Sequence, residues 1–203
     1  MEIDLNQLST RERYAWMTAA ILPRPIAFVS SLSVDGVVNL APFSYFNGVS
    51  SSPPVLSVAV GPKRGGVQKD TIRNVEATGE LVVNIVPRRI AEAMVKTSGD
   101  YGPEVSEFDV SGLTRVPSQR VRPPRVGECP IAFECRCIQV VKVGPPELTT
   151  SLILAEVVLL HAVDAALTEG RVDPRKVDPV ARLGGTQYAT LGEVWEIERP
   201  DGN

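Results

Sequence analysis

Residues 26 to 60 constrain the fold more than any other stretch of the chain, because they hold four β-type runs in close succession. Ile26–Ser31 and Val37–Leu40 flank Asp35-Gly36. An Asp-Gly pair between two such runs is the strongest short-range signal for a hairpin. Strands are expected at about 26–33, 37–41, 45–51 and 54–60.

Helices are fewer. Ser9-Thr10-Arg11-Glu12 has the spacing of a capping box, with Glu three residues after Ser. It predicts a helix from about Thr10 to Ala20 that stops before Pro23 and Pro25. Asp70 is placed to cap a helix from Thr71 to about Thr78, closed by Gly79. Leu81–Val86 reads as a buried strand, and Pro87 starts a helix from about Arg88 to Thr97. From Ser98 to Cys129 the pattern dissolves into Gly and Pro. A stretch this long inside a compact domain is expected to be a lid, an arm or a partner surface. Long strands follow at about Ile131–Val143 and Ser151–Asp164. The tail from Glu169 to Gly192 reads as irregular, and Glu193–Ile197 as a last short strand. Many strands with turn signals and few helices predict a mainly β fold with flanking helices, a barrel rather than a parallel sheet. At 203 residues a single domain over 1-203 is expected, with the long loop or arm at about 98-129.

Charge and composition remove several classes of function. Lys and Arg number 21 against 24 Asp and Glu, a formal net charge of −3. With no basic stripe interleaved with aromatics, no nucleic-acid partner is expected. No apolar run reaches the roughly 18 residues that span a bilayer, so no membrane partner is expected either. MEIDLNQLST lacks the basic and apolar regions of a secretory signal, and the cytoplasm is the expected location. Cys129, Cys135 and Cys137 are too few, and odd in number, for a disulfide framework. Cys135 and Cys137 alternate onto one strand face and read as small buried hydrophobes rather than metal ligands.

Four groups of residues could carry chemistry. Ala41-Pro42-Phe43-Ser44-Tyr45-Phe46-Asn47 mixes small, hydroxyl, amide and aromatic side chains. Delivered by a rigid sheet, such a segment suits a planar polar ring, with aromatics on a face and backbone groups at the edge. Read alone, a barrel strand bent at Pro42 explains it better. Lys69-Asp70-Thr71 opens a helix, and a helix N-terminus offers N–H groups and partial positive charge to a phosphate. Lys69 adds a full charge and Thr71 a hydroxyl. Read alone, a plain N-cap and a solvated lysine explain these residues better. Arg24 is held extended by Pro25, and its guanidinium suits either a phosphate or a carboxylate. His161, the only histidine, ends an apolar strand, where a hydrogen-bonded structural role is the plainer reading. It has no partner pattern for a catalytic triad or a metal. Neither GxGxxG nor GxxxxGK[ST] occurs, so no Rossmann domain is expected.

Several motifs occur in a telling order. Arg24-Pro25-Ile26-Ala27 opens a strand, and Asp35-Gly36 with Asn39 precedes Ala41-Pro42-Phe43-Ser44. Pro53-Pro54 leads a further strand, and Lys69-Asp70-Thr71 with Asn74 starts a helix. His161 follows Ala155-Glu156-Val157-Val158, and Arg182-Leu183-Gly184-Gly185 comes with Tyr188. From about Ser9 to Pro200 this order resembles the flavin reductase-like family of FMN-binding split barrels. The resemblance implies a split β-barrel of the FMN-binding type. It places FMN against Arg24, Asn39, Ala41, Ser44, Tyr45, Phe46, Asn47, Lys69 and Thr71, with Lys69 and Thr71 at the phosphate. It implies NADH or NADPH as transient electron donor. Hydride transfer to the flavin needs no proton-shuttling side chain, so no catalytic residue is expected. His161, near the flavin or nicotinamide in some members, is the one candidate. The implied activity is an NAD(P)H-dependent flavin oxidoreductase, with oxygen, free flavin or a partner monooxygenase as electron acceptor. The alternative is a non-enzymatic, flavoredoxin-like FMN electron carrier. A homodimer is implied in either case.

Overall fold

The computed structural model describes residues 1–200. The capping box forms as read. Ser9 Oγ accepts from the Glu12 N–H (3.3 Å) and Glu12 Oε2 accepts from the Ser9 N–H (2.9 Å), opening helix α1, Thr10–Ala20. Seven strands follow: β1 Ala27–Leu32, β2 Val38–Phe43, β3 Phe46–Ser51, β4 Pro54–Val60, β5 Glu80–Ile85, β6 Ile131–Val143 and β7 Thr150–Ala162. All neighbouring pairs are antiparallel, in the order β2-β1-β5-β6-β7-β4-β3. β2 and β3 end the sheet on opposite sides, yet only Ser44 and Tyr45 separate them in sequence. The sheet must therefore curl until its ends meet, and the result is a split barrel.

The β1–β2 turn differs from a two-residue Asp-Gly hairpin. The Ser33 N–H reaches the Val37 carbonyl (2.9 Å), so Val34, Asp35 and Gly36 form the loop. The Gly36 N–H closes a turn onto the Ser33 carbonyl (3.1 Å), with Gly36 at φ +87°. This is the three-residue alternative, in which the last residue must be left-handed and glycine is favoured. Register shifts between β6 and β7, at Leu154/Ala155 and Val157/Leu159, bend the two longest strands and supply curvature.

Alternation along the strands sends Ala27, Val29, Val58, Val83, Cys135 and Ile153 into the barrel. Helix α2, Asp70–Thr78, adds Ile72 and Val75 to the same core. Gly79, left-handed at φ 71°, ends it. The other face of β1 and β2 presents Phe28 and Leu40. Both are buried under Met94 of α3 (Ala91–Lys96), Phe108 of α4 (Glu107–Ser111), and Leu113, Val126 and Cys129. Burying one large side chain of this kind is worth about 1.5–3 kcal/mol. Most of the segment 98–129 is thus layered onto its own barrel. Ser30 Oγ donates to the Pro124 carbonyl (2.5 Å), and Asn84 Oδ1 accepts from the Val126 N–H (3.0 Å). Its first residues, and Glu107 further along, border a cavity.

Two local expectations need correction. Asp70 is the first residue of α2 rather than its cap, which is Lys69. The Asp70 carboxylate bonds Lys63 (2.9 Å) and Arg73 instead. Glu193–Ile197 forms no strand, because no neighbouring strand is there to pair with it, and Trp195 and Ile197 are exposed. The tail instead contributes Ala181–Arg182 and Tyr188–Ala189 to a three-stranded ribbon with Arg24–Pro25. All three cysteines are free. Burial pushes the Cys135 thiol up to about 12. Among the described residues, no group of three or more His, Cys, Asp or Glu could hold a metal ion. No described helix is long and apolar enough to cross a membrane.

Candidate functional site

β2 and α2 meet at a cavity of about 530 Å³, within the range typical of small-molecule sites. β2 contributes Asn39, Ala41 and Pro42, and the start of α2 contributes Lys69, Asp70 and Thr71. Pro62 and Lys63 come from the loop after β4, Ser98 to Tyr101 from the segment after α3, and Glu107 from α4. A second cavity, about 480 Å³, shares Pro42, Pro62 and Lys69. It adds Phe43, Ser44 and Tyr45, with Tyr14 and Thr18 from α1. Lys69 stands where the two cavities meet.

The electrostatics of this junction favour an anion. The half-buried Lys69 ammonium lies 5.5 Å from the centroid of the Phe43 ring and makes no ion pair among the described residues. Burial lowers its pKa, and the neighbouring Lys63 charge lowers it further. Asp100 and Asp70 nearby offset this in part, but a desolvated cation in no direct ion pair still gains from an arriving anion. The α2 N-terminus points the same way. Its first intrahelical donors are the Ile72 and Arg73 N–H groups, both onto the Lys69 carbonyl (3.1 and 3.2 Å). The Asp70 and Thr71 N–H groups precede them and have no intrahelical acceptor. Lys63 is already engaged, bonding Asp70, the Tyr101 carbonyl (3.4 Å) and Asp100 (3.6 Å). It ties the 61–66 loop to the segment after α3. Asp70 is pulled up by burial, but the bond to Lys63 and the Lys63 and Arg73 charges outweigh this and hold it low.

Of the residues singled out in the sequence, Asn39, Ala41, Lys69 and Thr71 line the first cavity, and Ser44 and Tyr45 line the second. Burial raises the Tyr45 phenol. Four others are placed elsewhere. The buried Arg24 guanidinium donates to the carbonyls of Thr18, Ile21 (2.8 Å) and Leu183 (2.8 Å) and to Ser44 Oγ (3.3 Å). It meets neither a carboxylate nor the cavity, because three backbone acceptors from α1 and the tail take its fork. Phe46 packs onto the barrel core. Asn47 lies exposed on β3, its Oδ1 accepting from the Gly48 N–H (2.8 Å). His161 is bonded to Glu134 (2.6 Å) and lines neither cavity.

Lys63, Tyr101, Glu107 and Tyr14 are cavity residues that the sequence did not reveal. Lys63 sits in a glycine-rich loop that carried a signal for irregularity but none for a ligand. Glu107 lies in the stretch without periodicity, and its position depends wholly on how that stretch folds back.

A domain model described as flavin reductase like matches residues 18–178. The fold is similar to nitrilotriacetate monooxygenase component B from Bacillus cereus, with a TM-score of 0.93 at 35% identity over 97% of this chain and 98% of that one. It is also similar to the 2-nitrobenzoate 2-nitroreductase of Pseudomonas fluorescens, with a TM-score of 0.87 at 32% identity over 99% and 97% of the two chains. An uncharacterized protein of Halalkalibacterium halodurans is 38% identical over 98% of this chain and 97% of its own length. The match spans the strands, α2 and the segment bordering the cavity, so the chain belongs to the flavin reductase-like domain family.

Proposed function

We propose that the chain binds FMN noncovalently, one per subunit, and acts as an NAD(P)H-dependent flavin oxidoreductase. The observation that carries this reading is Lys69, a half-buried ammonium with no carboxylate partner, at the junction of an anion-suited helix start and an aromatic-lined cavity. These residues fit FMN. Lys69, Thr71 and the first N–H groups of α2 would hold the phosphate. Phe43, Ser44 and Tyr45 would meet the ring system. When bound, FMN supplies the redox chemistry, taking a hydride from NADH or NADPH and passing electrons to an acceptor. The chain orients and shields, and no side chain in the cavities is asked to shuttle a proton. The similarity to a monooxygenase component supports a partner monooxygenase as acceptor. A cytoplasmic homodimer is the proposed working form.

The test is a spectrum of the purified protein after FMN addition, followed by NADH and NADPH under anaerobic conditions. Micromolar FMN binding and bleaching by either nucleotide are expected. Failure to take up FMN at micromolar concentration overturns the reading. Uptake without bleaching reduces it to the carrier alternative.

A further inference from the structure

Glu107 is joined to Thr71, at the start of α2, through one amide. Its Oε2 accepts from the Leu40 N–H (2.8 Å) at the free ladder edge of β2. Its Oε1 lies 3.3 Å from one end of the Asn39 amide, and the other end lies 3.0 Å from Thr71 Oγ1. All three side chains are buried, and all three residues line the first cavity.

This chain of bonds can run in two directions. With Glu107 ionised, the Asn39 NH₂ donates to Glu107 Oε1. The Asn39 oxygen then accepts from the Thr71 hydroxyl (3.0 Å) and the Leu40 N–H (3.2 Å), so the Thr71 proton is spent inside the protein. With Glu107 protonated, its Oε1–H donates to the Asn39 oxygen. The Asn39 NH₂ then donates to Thr71 Oγ1 (3.0 Å), and the Thr71 proton is free for an acceptor in the cavity. An amide has donors at one end and an acceptor at the other, so turning it reverses its bonds to Glu107 and Thr71, while the Leu40 N–H, 3.2 Å from the end that faces Thr71, then keeps Glu107 Oε2 as its acceptor.

We propose that Glu107 is a positioning residue of this site: through Asn39, the proton it holds turns the Thr71 hydroxyl into a donor for the phosphate of the bound flavin nucleotide. The proposal rests on the FMN reading above. Where the empty site holds Glu107 ionised, phosphate binding then takes up a proton from solvent there, and by reciprocity the protonated acid binds phosphate more tightly.

The surroundings shift Glu107 toward the protonated form. Burial raises the Glu107 pKa, the Leu40 N–H lowers it, and Asp70 raises it while Lys63 lowers it. Lys69 and Asp100 line the same cavity. β2 carries no ionisable side chain, and Glu92 and Lys96 on α3 and Asp109 on α4 are exposed. An arriving phosphate adds negative charge and favours the acid further.

The test compares FMN and riboflavin affinities of wild type, E107Q and T71V by fluorescence quenching from about pH 5.5 to 8.5. A phosphate monoester loses its second proton near pH ~6, so each variant is compared with wild type at the same pH. E107Q keeps the acid-like pattern at every pH, with its NH₂ donating to Asn39. The expected result is that wild type weakens for FMN relative to E107Q as pH rises, tending to about tenfold per pH unit above the Glu107 midpoint. The riboflavin ratio stays flat, and the pH dependence disappears in T71V. A measurement on wild type needs no variant: calorimetry at pH 7.5 in buffers of different ionisation enthalpy should show proton uptake with FMN and none with riboflavin. FMN binding with a flat ratio and no proton uptake overturns this proposal alone. No FMN binding at any pH overturns the FMN reading as well.

Discussion

His161 Nε2 and Glu134 Oε1 lie 2.6 Å apart on neighbouring strands. The fully buried Glu134 carboxylate also accepts from the Gln119 (2.8 Å), Arg120 and Val121 (3.2 Å) N–H groups. The single histidine thus helps to anchor the segment 98–129 and lines neither of the two cavities.

Glu134→Ala should leave three backbone donors and His161 without their acceptor. A loss of about 3 kcal/mol or more is expected, since each orphaned buried donor costs about 1–3 kcal/mol. His161→Asn keeps a donor for Glu134 and should cost about 1 kcal/mol, with FMN affinity within a few-fold. Urea denaturation and flavin titration measure the two effects. A selective loss of flavin reduction in His161→Asn, without loss of stability, would return His161 to the site.

The same carboxylate sets an acid limit. Burial raises the Glu134 pKa, but the Gln119 N–H, the His161 bond and the Arg120 N–H outweigh it and the net direction is down. A depressed carboxylate stabilises the fold above its unfolded pKa and loses that contribution as pH falls through the folded value. Wild type should therefore lose stability below about pH 4.5 more steeply than Glu134→Gln, as followed by thermal melts across pH.

Lys69→Ala should weaken FMN far more than riboflavin, which lacks the phosphate. A charge-assisted contact is worth about 1.5–3 kcal/mol, or roughly ten- to a hundredfold in affinity. Equal losses for both ligands would show that Lys69 acts through folding.

Arg24→Lys should behave in the opposite way. A lysine cannot serve three carbonyls and Ser44 Oγ in a planar fork. The variant should lose about 2–4 kcal/mol of stability with no preference between FMN and riboflavin. A selective FMN defect would place Arg24 at the phosphate after all.

Helix α1 motivates a prediction about assembly. Thr18 is its only buried residue, while Tyr14, Trp16 and Met17, with Ile21 and Leu22 just beyond, are exposed. An eleven-residue helix is marginal without a packed face. Light scattering should report a dimer, and Trp16→Glu should weaken it. A 21.9 kDa particle at all concentrations would contradict this.

The barrel was legible because local signals set it. Ser9 and Glu12 fixed α1, Gly36 and Gly79 fixed a turn and a helix end, and the β-branched runs fixed the strands within a residue or two. That Asn39, Ala41, Lys69 and Thr71 would share one cavity was legible only through their order along the chain. The partners of Arg24 were not legible, because they are mostly backbone carbonyls, one of them 159 residues away at Leu183, and carbonyls leave no mark in a sequence. Glu107 and the Glu134 anchor depend on how 98–129 folds back, and that path has no periodicity to read.

The Ser44–Tyr45 link between the two ends of the sheet has a mechanical consequence. Elsewhere the barrel wall is a ladder of hydrogen bonds, which can open one rung at a time. At the slit the wall is crossed by the polypeptide itself, tied down where the Ala59 N–H meets the Tyr45 carbonyl (2.8 Å). A backbone nick between Gly144 and Thr150 would leave β6 and β7 zipped along their length. A nick at Ser44–Tyr45 would leave two loose edges and cut the second cavity in half. Whatever occupies that cavity rests on a covalent hinge pin, and its geometry survives fluctuations that would separate a pair of strands held by hydrogen bonds alone.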